Sequence, residues 1–215
     1  MKIAAEGFPF VAIGLGVLVI AGFFGLRTGG WFWAPFVLWL PIAVWIPLFF
    51  RDPQRLGDRG DHLAISPADG KIVVVDTVDM PDFIEGKAIQ ISVFMNVFNV
   101  HVNRYPVNGT VRYRQYEPGK FFNATLDKAS EQNERMSLGI ESPRGRVLVR
   151  QIAGLVARRI VTDHHVDETV SQGERLGLIR FGSRVDTFLP LDAQPKVSVG
   201  EKVHAGVTVL AEWDR

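Results

Sequence analysis

Two long uncharged runs at the start of the chain constrain it more than any other feature. Phe8–Leu26 holds 19 residues with one proline and no charge, and Trp31–Phe50 holds 20 more. A helix needs about 20 apolar residues to cross the hydrocarbon core of a bilayer, and the break at Arg27–Gly30 is short enough for a tight reversal. The expectation is an N-terminal α-helical membrane hairpin over residues 1–50, with segments at about 8–26 and 31–50. Trp31 and Trp33 stand at one end of the second run, where indole rings favour the interface. Lys2, Arg51 and Arg55 flank the outer ends, against Arg27 alone at the tip. The positive-inside rule then places both ends, and everything after residue 50, on the cytoplasmic side of the cell (inner) membrane. Pro35, Pro41 and Pro47 disturb a straight helix, which keeps a shallow monotopic insertion open. A buried core hairpin is a further alternative. A cleaved signal peptide fits poorly, because two long runs lack a small-residue cleavage site.

From Asp52 the texture changes. Short alternating or β-branched runs at Lys71–Asp76, Ala88–Phe94, Thr110–Gln115, Arg146–Ile152, Leu176–Phe181 and Val207–Trp213 read as strands. Asp69-Gly70, Asn108-Gly109, Pro118-Gly119, Pro143-Arg144-Gly145 and Gly200 punctuate them as turns. Asn108-Gly109 is the strongest hairpin signal, since both residues tolerate positive φ. Phe122–Ser137 has room for one short helix, although its apolar spacing is poor. The fold class expected is mainly β (α+β), over residues 51–215. Val197–Leu210, with Gly200 and Gly206, resembles the barrel-like β-sandwich hairpins of lipoyl and biotinyl carrier domains. Lys202 lies near such a hairpin tip, but its neighbours do not resemble an attachment motif.

The absence of cysteine excludes disulfides, thiolate catalysis and Cys-ligated zinc. A formal net charge of +1 gives no whole-chain case for nucleic acid. His164-His165, beside Asp163 and Asp167, invites a metal reading. Adjacent strand residues point to opposite faces, so a polar loop is favoured and no metal is expected.

Ser183 follows Gly182 directly after the run Leu176–Phe181. Alone, a Gly-Ser pair is a turn. Its surroundings say more: Gly173-Glu174-Arg175-Leu176-Gly177-Leu178-Ile179-Arg180-Phe181-Gly182-Ser183 resembles the cleavage region of phosphatidylserine decarboxylases. A second block, Phe94 to Gly109, resembles the family's His-containing segment before a Pro–Asn-Gly turn, and a third, Ser66-Pro67-Ala68-Asp69-Gly70, resembles its Ser-Pro-x-Asp-Gly segment. The three blocks in this order are specific where each alone is weak. The departure is Arg104, which stands where the long bacterial form has a second histidine; the shorter bacterial and archaeal branch is the better match.

The resemblance implies a proenzyme that cuts itself between Gly182 and Ser183. The products would be a large chain, 1–182, and a small chain, 183–215, held together as a heterodimer, with any higher oligomer left open. Ser183 would attack the Gly182 carbonyl, and elimination and loss of ammonia would convert it to a pyruvoyl group, the cofactor. That ketone can form a Schiff base with the amine of phosphatidylserine, in the role pyridoxal phosphate plays elsewhere. His101 is implied as acid/base and Asp69 as its partner in self-cleavage. Asn103, Arg104, Phe121 and Phe122 are candidates to contact the phospholipid substrate, and Asn133-Glu134-Arg135 either binds polar groups or forms a solvated turn. Arg51, Arg55 or Arg59 are placed to attract anionic lipid. Two other readings stay open: a membrane-tethered carrier or scaffold without chemistry, and a decarboxylase of a related serine-containing phospholipid.

Overall fold

The computed structural model describes residues 2–120, 132–154, 159–180 and 182–214. In chain order the elements are β1 (Lys2–Ile3), α1 (Phe8–Thr28), α2 (Ala34–Phe49), β2 (Arg51–Asp52), β3 (Leu63–Ile65), β4 (Gly70–Met80), β5 (Gly86–Met95), β6 (Val102–Arg104), β7 (Gly109–Glu117), β8 (Arg135–Ser142), β9 (Gly145–Ala153), β10 (Ile160–Thr162), β11 (Thr169–Val170), β12 (Arg175–Ile179), β13 (Ser183–Leu189), β14 (Gln194–Pro195), β15 (Lys202–Val203) and β16 (Val209–Glu212). The chain divides into two units, Met1–Gln54 and Arg55–Arg215.

In the first unit α1 and α2 form the expected hairpin, closed at its base by β1 against β2. Small residues let the helices approach: Gly14 faces Ala43 and Ile46, and Gly25 faces Trp33, the packing that serves where lipid gives helices no hydrophobic drive to associate. Trp39 Nε1 donates to the Gly14 carbonyl at 3.0 Å, which satisfies an indole N–H among apolar neighbours. Pro35 lies in the first turn of α2, where its missing N–H costs little, while Pro41 and Pro47 are accommodated inside the helix. The turn before α2 is a short 3-10 helix, Gly30–Trp33, so the second helix starts later than the apolar run does. Ile13, Val19, Leu38 and Trp31 point outward, Trp31 at 87% exposure. Both helices are long and apolar enough to cross a membrane, and the hairpin is compatible with membrane association.

The second unit is mainly β. An eight-stranded sheet runs β11-β7-β8-β9-β13-β5-β4-β15, and two three-stranded sheets, β10-β12-β6 and β14-β16-β3, accompany it. The period of two sorts the side chains. One face of β13, β5, β9 and β8 carries Val185, Val93, Val149 and Leu138, which join Ile179 and Leu176 of β12 and Leu210 of β16 in a single core. The other face carries a smaller apolar cluster of Met80, Ala88, Leu148 and Phe188.

The predicted strands are present within a residue or two of their expected bounds, except that β4 runs past Asp76 to Met80; Phe181 lies outside the described residues. One local expectation is corrected. Asn108-Gly109 does not make a hairpin: β6 before it pairs with β12, and β7 after it pairs with β8 and β11. The Asn108 amide is instead spent on tertiary bonds, donating to Asp61 Oδ1 and accepting from the Gln172 N–H, each at 2.8 Å. The turn thus carries the chain between sheets. Most of the Phe122–Ser137 span allowed for a short helix lies outside the described residues; Gln132 is helical, and Arg135, Met136 and Ser137 belong to β8.

Candidate active site

β13 is the strand that places Ser183. It lies between β5 and β9, and Ser183 is its first residue, opposite Met95 on one side and Ala153 on the other. Residues directly opposite share a face, so Ser183 looks to the same side as Val185, the core side. Ser183 is fully buried, and among the described residues its Oγ has no hydrogen-bond partner. A buried hydroxyl normally finds one. Gly182, just before it, sits in a bend, where an added Cβ would meet among the described residues only the Met95 carbonyl oxygen, at 3.8 Å. The scissile bond expected from the sequence therefore joins a spacious glycine to an unsatisfied nucleophile.

A set of amides holds this strand row. Asn103 Oδ1 accepts from Gln151 Nε2 at 2.8 Å, and Asn103 Nδ2 points to Met95 Sδ at 3.5 Å. Asn133 Nδ2 donates to the carbonyl of Ala153 at 2.8 Å. Both strand neighbours of Ser183 are thus tied by buried asparagines. Asn103 appears here as framework. Asn133 and Glu134 are buried, so the solvated-turn alternative for this segment is excluded, and Arg135 pairs with Glu117. Gln151 and Met95 escaped sequence reasoning, because nothing local marks a strand glutamine or methionine as adjacent to a distant serine.

His101 is buried just ahead of β6, with Nδ1 3.0 Å from the Asn99 carbonyl. A carbonyl only accepts, so in the neutral ring Nδ1 carries the proton and Nε2 the lone pair. The loop before it is pinned by asparagines: Asn96 N–H donates to Asn99 Oδ1 and Phe98 N–H to Asn96 Oδ1, each at 2.9 Å.

Asp69 sits at the start of β4. Lys71 pairs with Phe94, and Phe94 pairs with Arg184, so Asp69 lies two strands from β13, roughly 10 Å by strand spacing. Arg55 Nη2 donates to both of its oxygens at 2.8 and 2.7 Å, the Ala205 N–H donates to Oδ1 at 2.8 Å, and His204 Nδ1 is 3.8 Å from Oδ2. Arg55 is therefore committed to an internal carboxylate, which corrects its assignment as a lipid-attracting cation. His204 is exposed in its turn and stands beside Asp69.

Arg104 donates to the Gly173 carbonyl at 3.0 Å, and alternation along β6 turns it away from the face of Asn103. Phe121 and Phe122 lie outside the described residues. His164 belongs to a loop; its Nε2 is 3.3 Å from Glu174 Oε1 and its ring meets Tyr105 edge-on.

On the opposite face of β13, Arg184 and Asp186 form a buried ion pair at 2.6 Å, joined to β5 through Ser92 and Gln90. The strand that begins at Ser183 is thus fixed from both sides.

The sequence matches the family profile described as Phosphatidylserine decarboxylase over residues 43–211. The chain belongs to the phosphatidylserine decarboxylase family. It is 51% identical to the phosphatidylserine decarboxylase proenzyme of Ralstonia nicotianae, over 99% of this chain and 96% of that one. Proenzymes of the same name from Polynucleobacter asymbioticus and Azorhizobium caulinodans are 51% and 48% identical, covering 97% and 100% of this chain and 94% and 90% of theirs. The family's members are carboxy-lyases, and the chain is an enzyme of that class. The carrier and scaffold reading is thereby set aside.

Proposed function

We propose that the chain cuts its own Gly182–Ser183 bond and then converts phosphatidylserine to phosphatidylethanolamine and CO₂, with its catalytic unit on the cytoplasmic side of the bacterial inner membrane. The observation that carries this reading is the buried, unsatisfied Ser183 hydroxyl next to an open glycine at the edge of a rigid strand row.

In self-cleavage His101 Nε2 takes the Ser183 Oγ proton, and Oγ attacks the Gly182 carbonyl carbon. The peptide C–N bond breaks, the nitrogen of residue 183 takes the proton, and an ester joins Gly182 to the serine Cβ oxygen. Removal of the Cα proton expels that oxygen with the Gly182 carboxylate and leaves dehydroalanine. Its enamine tautomerises, and water releases ammonia and leaves a ketone at residue 183. Asp69, held by Arg55 with His204 alongside, supports this maturation electrostatically from two strands away.

An orphaned hydroxyl at the first residue of β13 fits a group made from that residue. Such a group would supply an electrophilic carbonyl for the substrate amine and a sink for the electron pair that CO₂ leaves behind. The chain's own residues do the rest: the amides of Asn103 and Asn133 keep Met95 and Ala153 flat against residue 183, and the core behind excludes water.

Denaturing electrophoresis of the protein in lipid should show two pieces, the smaller covering residues 183–215 with a blocked N-terminus. Ser183→Ala should give one chain and no CO₂ release. His101→Asn and Asp69→Asn should slow the splitting. An uncut wild type in folded form, or decarboxylation retained by Ser183→Ala, sinks the proposal.

A further inference from the structure

Gln151 is a polar side chain in an apolar place. It is fully buried on β9, directly opposite Val185 of β13, and Val149 and Ala153, two residues either way along its strand, belong to the main core. Ala153 stands opposite Ser183. Gln151 is therefore the diagonal neighbour of Ser183 on the same face, about 7–8 Å away and within reach of a long side chain.

The partners of its amide decide which end is engaged. A thioether sulfur accepts but does not donate, and Asn103 Nδ2 points to Met95 Sδ at 3.5 Å, so Asn103 Oδ1 faces Gln151. That oxygen also only accepts, and Gln151 presents Nε2 to it at 2.8 Å. Gln151 Oε1 is left buried, and among the described residues it has no hydrogen-bond partner. Ser183 Oγ, on the same face, is in the same condition. A leucine would fill this place between valines with no acceptor to satisfy; a glutamine here calls for a donor.

The chemistry at residue 183 says where that donor comes from. A ketone made from Ser183 has no hydrogen to donate. In the ionised headgroup of a serine phospholipid the phosphodiester and the carboxylate only accept, and the ammonium is the one donor. When a primary ammonium joins a ketone, the ketone oxygen leaves as water and the nitrogen keeps one N–H. Loss of CO₂ does not touch that N–H, so a single acceptor serves the nitrogen from arrival to release.

We propose that Gln151 Oε1 accepts this N–H and so holds the substrate nitrogen at residue 183, with Asn103 and Met95 orienting the amide. This rests on Ser183 being the precursor of the reactive ketone. The test uses the full chain in detergent and two probes, each read by the intact mass of the small chain. O-Methylhydroxylamine condenses with a ketone to an oxime whose nitrogen bears no hydrogen. Dihexanoyl phosphatidylethanolamine with cyanoborohydride, which delivers hydride to the carbon–nitrogen double bond, reports capture of a lipid amine without decarboxylation. Gln151→Leu should split normally on a gel and form the oxime at the wild-type rate, but trap the lipid amine about tenfold more slowly, as loss of a hydrogen bond to a charged donor implies. Gln151→Met carries the same expectation should Gln151→Leu fail to split. Gln151→Glu gives up the donor to Asn103 and keeps an acceptor, so it should recover part of the trapping. Unchanged trapping in Gln151→Leu overturns the proposal. So does a parallel fall in oxime formation, which would mark a distorted pocket, or an equal loss in Gln151→Glu, which would mark the Asn103 bond as what counts. Failure of both apolar variants to split overturns it too, by tying the amide to maturation. A wild type that neither splits nor forms the oxime shows instead that the reading of Ser183 has failed.

Discussion

Tyr105 shows how a single buried group couples this fold to pH. It is fully buried beside β6, and among the described residues its hydroxyl has no hydrogen-bond partner. Burial, with the carboxylates of Asp163, Glu174 and Glu168 nearby, pushes the phenol well above its usual range. The unfolded phenol ionises near pH 10 while the folded one stays protonated. Above that pH the unfolded state binds fewer protons than the folded state, so stability falls as pH rises. Tyr105→Phe should flatten this alkaline loss and, because it removes an unsatisfied hydroxyl, cost less than about 1 kcal/mol at pH 7. Thermal unfolding of both proteins at pH 7 and pH 10.5 checks it. A steeper alkaline loss in Tyr105→Phe would contradict the assignment.

At the scale of elements, β13 is the part whose position the site depends on. Its two faces are held by different means: apolar packing of Val185 and Leu189 on the core side, and the Arg184–Asp186 pair with Ser92 and Gln90 on the other. A buried pair is weak evidence for net stability, but losing one partner strands the other charge. In the uncut Ser183→Ala background, Asp186→Ala should lower stability by about 3–5 kcal/mol, read from the denaturation midpoint in detergent. Arg112→Ala, which breaks exposed pairs to Glu141 and Asp167, should leave the midpoint nearly unchanged. Equal effects from the two would show that the Arg184–Asp186 pair does not pin the strand. In the native background Asp186→Ala should also slow self-cleavage, because Ser183 opens the same strand.

At the scale of the whole molecule, the hairpin and the β unit are separable in composition and in core. Every residue of the main core lies between Ala64 and Trp213. A chain beginning at Arg55 should therefore still fold and split, yet fail to float with liposomes that carry the full chain. An insoluble or uncut product would show that the β unit needs its first 54 residues.

Much of this was legible in the sequence. The hairpin announced itself by run length, the strands by alternation, and Ser183 by the order of three motif blocks, because each of these signals is local and survives without knowing the fold. What tertiary structure decided was partnership. Asn108-Gly109 has hairpin chemistry, but its amide bonds to Asp61 and Gln172 and its flanking strands joined different sheets. Asp69 is held by Arg55 and by the Ala205 N–H, partners that its motif does not name. Gln151 gained its meaning only when strands distant in sequence were laid side by side. Local composition fixes which segments are apolar and which alternate. Only the folded chain decided which side chains meet, because register and strand order are set by burying many side chains at once, and no single residue encodes them.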